Sequence, residues 1–129
     1  LVVENNNVGF SVLEKILEKG YKNVYHSKKG SHQYVEQHAA LGDSSVVPGF
    51  TTSLKTRPLI IAKFEEFIRN KVLTIYSKRL ANELDTFIWK NGRPEAQRGY
   101  NDDLVMAAAI GCWVRDTAII ENEKDVADA

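Results

Sequence analysis

One cysteine, three prolines and a net charge of zero among 129 residues set several classes of protein aside at once. A lone Cys112 makes no internal disulfide and lacks the paired spacing of a zinc site, so the fold is expected to rely on neither staple. The longest apolar runs, 59–62 and 106–112, fall far short of the roughly 20 residues that cross a bilayer. No signal-peptide pattern opens the chain, and the expectation is a cytoplasmic protein with no membrane partner. No repeat, low-complexity tract or linker interrupts residues 1–120, which are expected to form one domain. The tail over 121–129 has almost nothing to bury and is expected to be disordered.

The zero charge hides an asymmetry. The tail holds Glu121, Glu123, Asp125 and Asp128 against Lys124 alone, and the body without it carries 16 basic and 13 acidic residues. A mildly basic body suits phosphate-bearing partners, although net charge speaks to association and not to fold. The chain opens at Leu1 inside an apolar run and without a start methionine, which reads as a piece of a longer polypeptide.

Leu1, Val2 and Val3 form a short apolar run that stops at Glu4 and a polar Asn5-Asn6-Asn7 cluster, the pattern of a buried strand reaching a sheet edge. The pairs Val12/Ile16 and Leu13/Leu17, closed by Gly20, predict an amphipathic helix over 9–19. Val24-Tyr25 follows as a strand, giving a βαβ unit with a parallel pair. Residues 27–53 are polar, and at most one hairpin is expected there. Thr56 reads as an N-cap and Ile60, Phe64, Phe67 and Lys71 share a stripe, so 57–70 is read as helical. Residues 72–76 alternate like a short strand. Ser77 caps a further helix bearing Leu80 and Leu84, after which Asn91-Gly92 marks a hairpin over about 86–97. Asp102 and Asp103 then open an apolar helix expected to run to about Val114, and the helix dipole favours acids in its first turn.

The informative feature is acids in unusual places. Glu4 is the first charged residue after a buried strand, and Asp102-Asp103 starts an apolar helix. Strand carboxyl ends and adjoining helix ends are where α/β sheets build sites. Carboxylates from separate elements suit hard cations such as Mg²⁺, and paired metals about 3.5–4 Å apart clamp both oxygens of a phosphodiester displacement. The same positions also read as a helix cap and a solvated strand end.

Read as words, Val2-Val3-Glu4-Asn5-Asn6-Asn7-Val8-Gly9, Gly49-Phe50-Thr51-Thr52, Lys55-Thr56-Arg57-Pro58 and Gly99-Tyr100-Asn101-Asp102-Asp103-Leu104-Val105-Met106-Ala107 resemble, in that order, the C-terminal nuclease domain of the terminase large subunit of tailed bacteriophages. The resemblance covers residues 1–116. It implies an α/β, ribonuclease H-like fold, a mixed sheet flanked by helices, here lacking its first strands. It also implies two divalent metals, Mg²⁺ or Mn²⁺, held by a cluster of acids that cut double-stranded DNA during genome packaging, with little sequence specificity. By this matching Glu4 is the second acid of the cluster and Asp103, with Asp102 beside it, the third. The implied partners are DNA, an ATPase domain of the parent chain, the phage portal and the small terminase subunit. The implied setting is the cytoplasm of an infected or lysogenic bacterium, not the mature virion.

Two departures from that family stand out. Asn101 occupies a position where the family often has histidine, and an amide carries no proton. The first-strand aspartate has no counterpart in this chain, nor has the phosphate-binding Gly-x-x-x-x-Gly-Lys-Ser/Thr motif of the motor. The chain alone is therefore expected to be weak or inactive, and its parent to be a nuclease.

Among the basic residues, Arg57 beside Pro58 and the pair Arg93 and Arg98 near the acids are the candidates for phosphate contact. His26, His32 and His38, six residues apart, fit no helix face and predict no metal cluster. Cys112, Trp89, Trp113, Phe64, Phe67 and Phe87 read as core. The alternatives are a non-catalytic module that docks on DNA or a portal, and another ribonuclease H-like nuclease such as a Holliday-junction resolvase.

Overall fold

Apolar, mostly β-branched residues open the chain, and they run extended into Glu4. The computed structural model describes residues 1–6, 8–28, 34–35, 45–90, 93–96 and 102–128. Asn7, Asn91, Asn101, His32, His38 and Arg98 lie outside them. Two compact units, Leu1–Thr56 and Arg57–Ala129, make up the chain.

In the first unit the terminal ammonium donates to the Asn23 carbonyl and the Tyr25 amide to that of Leu1, both at 2.9 Å, in the sense of a parallel pair. Helix α1 (Val8–Glu18) carries the chain between these two stretches, so the expected strand, helix, strand order is present in the hydrogen bonding. Of the predicted apolar pairs only Leu13 is fully buried, and Val12 is exposed. Leu13 packs in a core with Val24, Tyr25 and Phe50, the two aromatic rings tilted at 39° with centroids 6.4 Å apart.

Regular strand begins at His26, later than the sequence predicts. β1 (His26–Lys28) is the centre of a three-stranded antiparallel sheet, flanked by β2 (Tyr34–Val35) and β3 (Val46–Pro48), with Ser27 opposite both Tyr34 and Val47. The region read as loop with one hairpin thus holds a third strand. It escaped notice because three residues ending in proline show no period, and proline is tolerated at such an edge. His26 is buried and its Nδ1–H donates to the Val24 carbonyl at 2.9 Å.

Gly49 then turns the chain at φ +88° so that Phe50 comes to lie parallel to Glu4. A Cβ there would meet Leu13 Cδ1 and the Val3 carbonyl oxygen, each at 2.6 Å. Only glycine combines that dihedral with that approach.

In the second unit, α2 (Thr56–Arg69) buries Ile60, Phe64 and Phe67 along the predicted stripe. Its cap is Ser53 rather than Thr56. The Thr56 amide donates to Ser53 Oγ at 3.1 Å and the Ser53 amide to Thr56 Oγ1 at 2.8 Å, a reciprocal box with threonine in place of the usual Glu or Gln. Lys71, at φ 57°, ends the helix, with Val72 donating back to the Phe67 carbonyl at 2.9 Å.

The strand expected over 72–76 is absent. Its alternation is real, since Leu73 and Ile75 are half-buried while Val72, Thr74 and Tyr76 are exposed, but no strand among the described residues pairs with it. Leu73 and Ile75 instead line a cavity of about 350 Å³ with Phe64, Phe67 and Cys112. Side-chain packing alone can impose a period of two.

Ser77 caps α3 (Lys78–Asp85), accepting from the Leu80 amide at 3.1 Å, as its sequence predicts. The hairpin follows as β4 (Phe87–Lys90) and β5 (Arg93–Ala96), antiparallel, with Lys90 opposite Arg93. α4 (Asp103–Asp128) buries Val105, Met106, Ala109, Ile110 and Cys112. It runs well past Val114 and takes in the acidic segment that burial arguments left without structure. Extending a formed helix by one residue is far easier than starting one, and Glu, Lys and Ala favour it.

The chain is therefore mixed α/β, with parallel and antiparallel bonding together in the first unit and a hairpin among helices in the second. No helix among the described residues is long and apolar enough to cross a membrane.

Candidate functional site

Glu4 is half-buried and its backbone is pinned from both directions. The Phe50 amide donates to the Val3 carbonyl and the Asn5 amide to that of Phe50, both at 2.9 Å, making a parallel bridge at Glu4. The two asparagines that follow act as staples. Asn5 Nδ2 donates to the Pro48 carbonyl at 3.1 Å, and its Oδ1 accepts from Thr51 Oγ1 at 3.1 Å. The Asn6 carboxamide meets the backbone of Thr52 twice, donating to its carbonyl at 2.9 Å and accepting from its amide at 3.3 Å. Behind them, a Cβ on Gly9 would stand 1.7 Å from the Glu4 carbonyl oxygen, so α1 starts against that backbone only because residue 9 is glycine. The residues read as a strand edge are the fasteners of a rigid corner carrying Glu4.

In the second unit, Asp102 stands just before α4 and its carbonyl accepts from the Met106 amide at 2.9 Å, the opening bond of the helix. Its carboxylate does not cap that helix. It is ion-paired with the guanidinium of Arg57 at the start of α2, both side chains about a fifth exposed. Capping is done by Glu83 of α3, whose Oε1 accepts from the amides of Leu104 at 2.9 Å and Val105 at 3.3 Å. The Asp103 side chain is exposed and makes no hydrogen bond or ion pair with a described residue.

Of the basic candidates, Arg57 is ion-paired with Asp102. Arg93 lies on β5, and Arg98 falls outside the described residues. Sequence reasoning missed Glu83 entirely, because nothing in a string marks a carboxylate that caps a helix 20 residues downstream. It also singled out Arg57 for phosphate without seeing the carboxylate already beside it.

The acids have the chemistry for a hard cation, which takes oxygen ligands. Among the described residues, however, no three His, Cys, Asp or Glu side chains form a group that would hold a metal ion. Asp102 is engaged by Arg57 and Glu83 by two amides. The described residues by themselves do not fit a two-metal group. Lys63 makes a separate cluster, 2.8 Å from Asp116 and 3.2 Å from Glu66. Hydrogen bonds to Asp116 and then to Glu66 raise its pKa above the ordinary lysine value. Burial pushes the Cys112 thiol up as well, which leaves it an inert packed residue.

No known family model matches the chain, and no curated protein or solved structure is significantly similar to it.

Proposed function

We propose that the chain is the nuclease part of a tailed-phage DNA-packaging terminase, of ribonuclease H-like type, acting on double-stranded DNA with little regard to sequence. One observation carries this reading: the residue blocks that resemble the terminase family are paired in space. The block around Glu4 is bonded to Gly49-Phe50-Thr51-Thr52 through Asn5 and Asn6, and the block around Arg57 to that around Asp102.

On this reading Glu4 and Asp103 are the acids the chain contributes, with Asp102 adjacent, and Mg²⁺ or Mn²⁺ is the metal the family resemblance implies. The set in this chain is partial, so cutting by the chain alone is weak or absent. The bacterial cytoplasm, an ATPase domain, a portal and a small terminase subunit belong to the same proposal.

The test is supercoiled-plasmid cleavage in Mg²⁺ or Mn²⁺ by this chain and by the full-length product of its gene. Cutting by the full-length product that is lost in Glu4→Gln and in Asp103→Asn supports the reading. No cutting, or cutting indifferent to both substitutions, overturns it. Linear, nicked and four-way substrates separate a packaging nuclease from a junction resolvase.

A second reading, a module that docks on DNA or on a portal without cutting, is favoured by the engagement of Asp102 with Arg57. It requires Mn²⁺ binding to be unchanged by Asp103→Asn.

A further inference from the structure

The Arg57 guanidinium is an anion site already holding an anion. It stands at the start of α2, about a fifth exposed, against the equally accessible carboxylate of Asp102. Guanidinium forks bind carboxylate and phosphate through the same N–H donors, and the two compete for them. The pair is part-buried, yet a fifth of each side chain stays open to water, so a second anion can reach the guanidinium. Its exchange leaves α4 intact, because the helix start is capped by Glu83 and opened by the Asp102 carbonyl, neither of which uses the Asp102 carboxylate. Lys55, exposed two residues before Arg57, adds positive charge in sequence, while exposed Asp103 opposes an anion.

We infer that Asp102 is a built-in competitor at the Arg57 site and that a backbone phosphate of duplex DNA displaces it. The inference rests on the DNA reading above and adds to it a regulatory consequence: engaging DNA frees the Asp102 carboxylate, so that acid becomes available only when nucleic acid is present.

The experiment measures affinity for a short labelled duplex as a function of salt, using the whole chain and the variants Asp102→Asn, Arg57→Gln and the double variant. Removing the competitor should tighten duplex binding several-fold in Asp102→Asn. Arg57→Gln should weaken it and flatten the slope of log affinity against log salt by about 0.9, one phosphate contact. The double variant should match Arg57→Gln, because without the guanidinium there is nothing to compete for. Asparagine keeps the Asp102 backbone bond, and a thermal melt checks the fold. The Arg57→Gln slope stands as a measurement independent of that variant. Duplex binding that is unchanged or weakened in folded Asp102→Asn overturns the inference and leaves the DNA reading standing. No duplex binding by any form overturns both. Inorganic phosphate, titrated as competitor, separates the sources: displacement of duplex only at high phosphate supports DNA, whereas tighter binding of phosphate but not of duplex in Asp102→Asn overturns it.

Discussion

The carboxylate of Glu83 caps the start of α4, its Oε1 2.9 Å from the Leu104 amide. One oxygen serves two amides there, and it comes from α3 rather than from the residue just before the helix. The acid expected to cap α4 is thereby released for an ion pair.

Glu83→Ala should destabilise the second unit by about 1 kcal/mol, the usual worth of a helix cap with a favourable charge at the positive end of the dipole. Glu83→Gln should recover part of this, since an amide oxygen still accepts. Urea unfolding of the two variants beside the parent checks both values, and an equal loss in the two would show that charge, not acceptance, dominates.

Gly49→Ala should cost about 2 kcal/mol or more, because the left-handed dihedral and the contacts with Leu13 and Val3 penalise a methyl together. Gly9→Ala should be worse, as the Glu4 carbonyl oxygen stands closer to the added carbon than any atom does at Gly49. Thermal unfolding followed by circular dichroism tests the order.

Lys71→Gly should stabilise the chain by about 0.5 kcal/mol. Relief of a left-handed non-glycine residue exceeds the extra chain entropy that glycine brings to the unfolded state. A denaturation midpoint that falls instead would mean that the Lys71 side chain contributes more than its backbone costs.

Lys63 gives the chain an alkaline limit. Its folded pKa is raised, so the stabilisation from Asp116 and Glu66 is whole below the ordinary lysine value, about 10.4, and is lost as pH climbs through the raised folded value. The stability difference between the parent and Lys63→Met should be constant at neutral pH and shrink above that range. The side chains involved are partly open to water, so the effect is small and weakens in salt.

What the sequence made legible were the features written in local chemistry. The stripe Ile60, Phe64, Phe67 placed α2, Ser77 placed α3 to the residue, and Gly20 closed α1. What it hid were choices made between distant segments. Leu73 and Ile75 alternate for a cavity rather than a sheet, and the Asp102 carboxylate goes to Arg57, 45 residues away, leaving α4 to Glu83. The candidate acids were found because their positions relative to elements are local facts. Their partners were not, because a charge pattern does not say which opposite charge it will meet.

The corner built by Gly9 against Glu4 separates two questions that a motif blends. In Glu4-Asn5-Asn6-x-x-Gly9, the asparagines and the glycine are demanded by hydrogen bonds and by the absence of room, whereas the Glu4 carboxylate makes no bond that the corner needs. A chain that kept Asn5, Asn6 and Gly9 but replaced Glu4 would build the same corner. The motif as a whole therefore scores the corner, and position 4 is the part of it that the corner leaves undetermined.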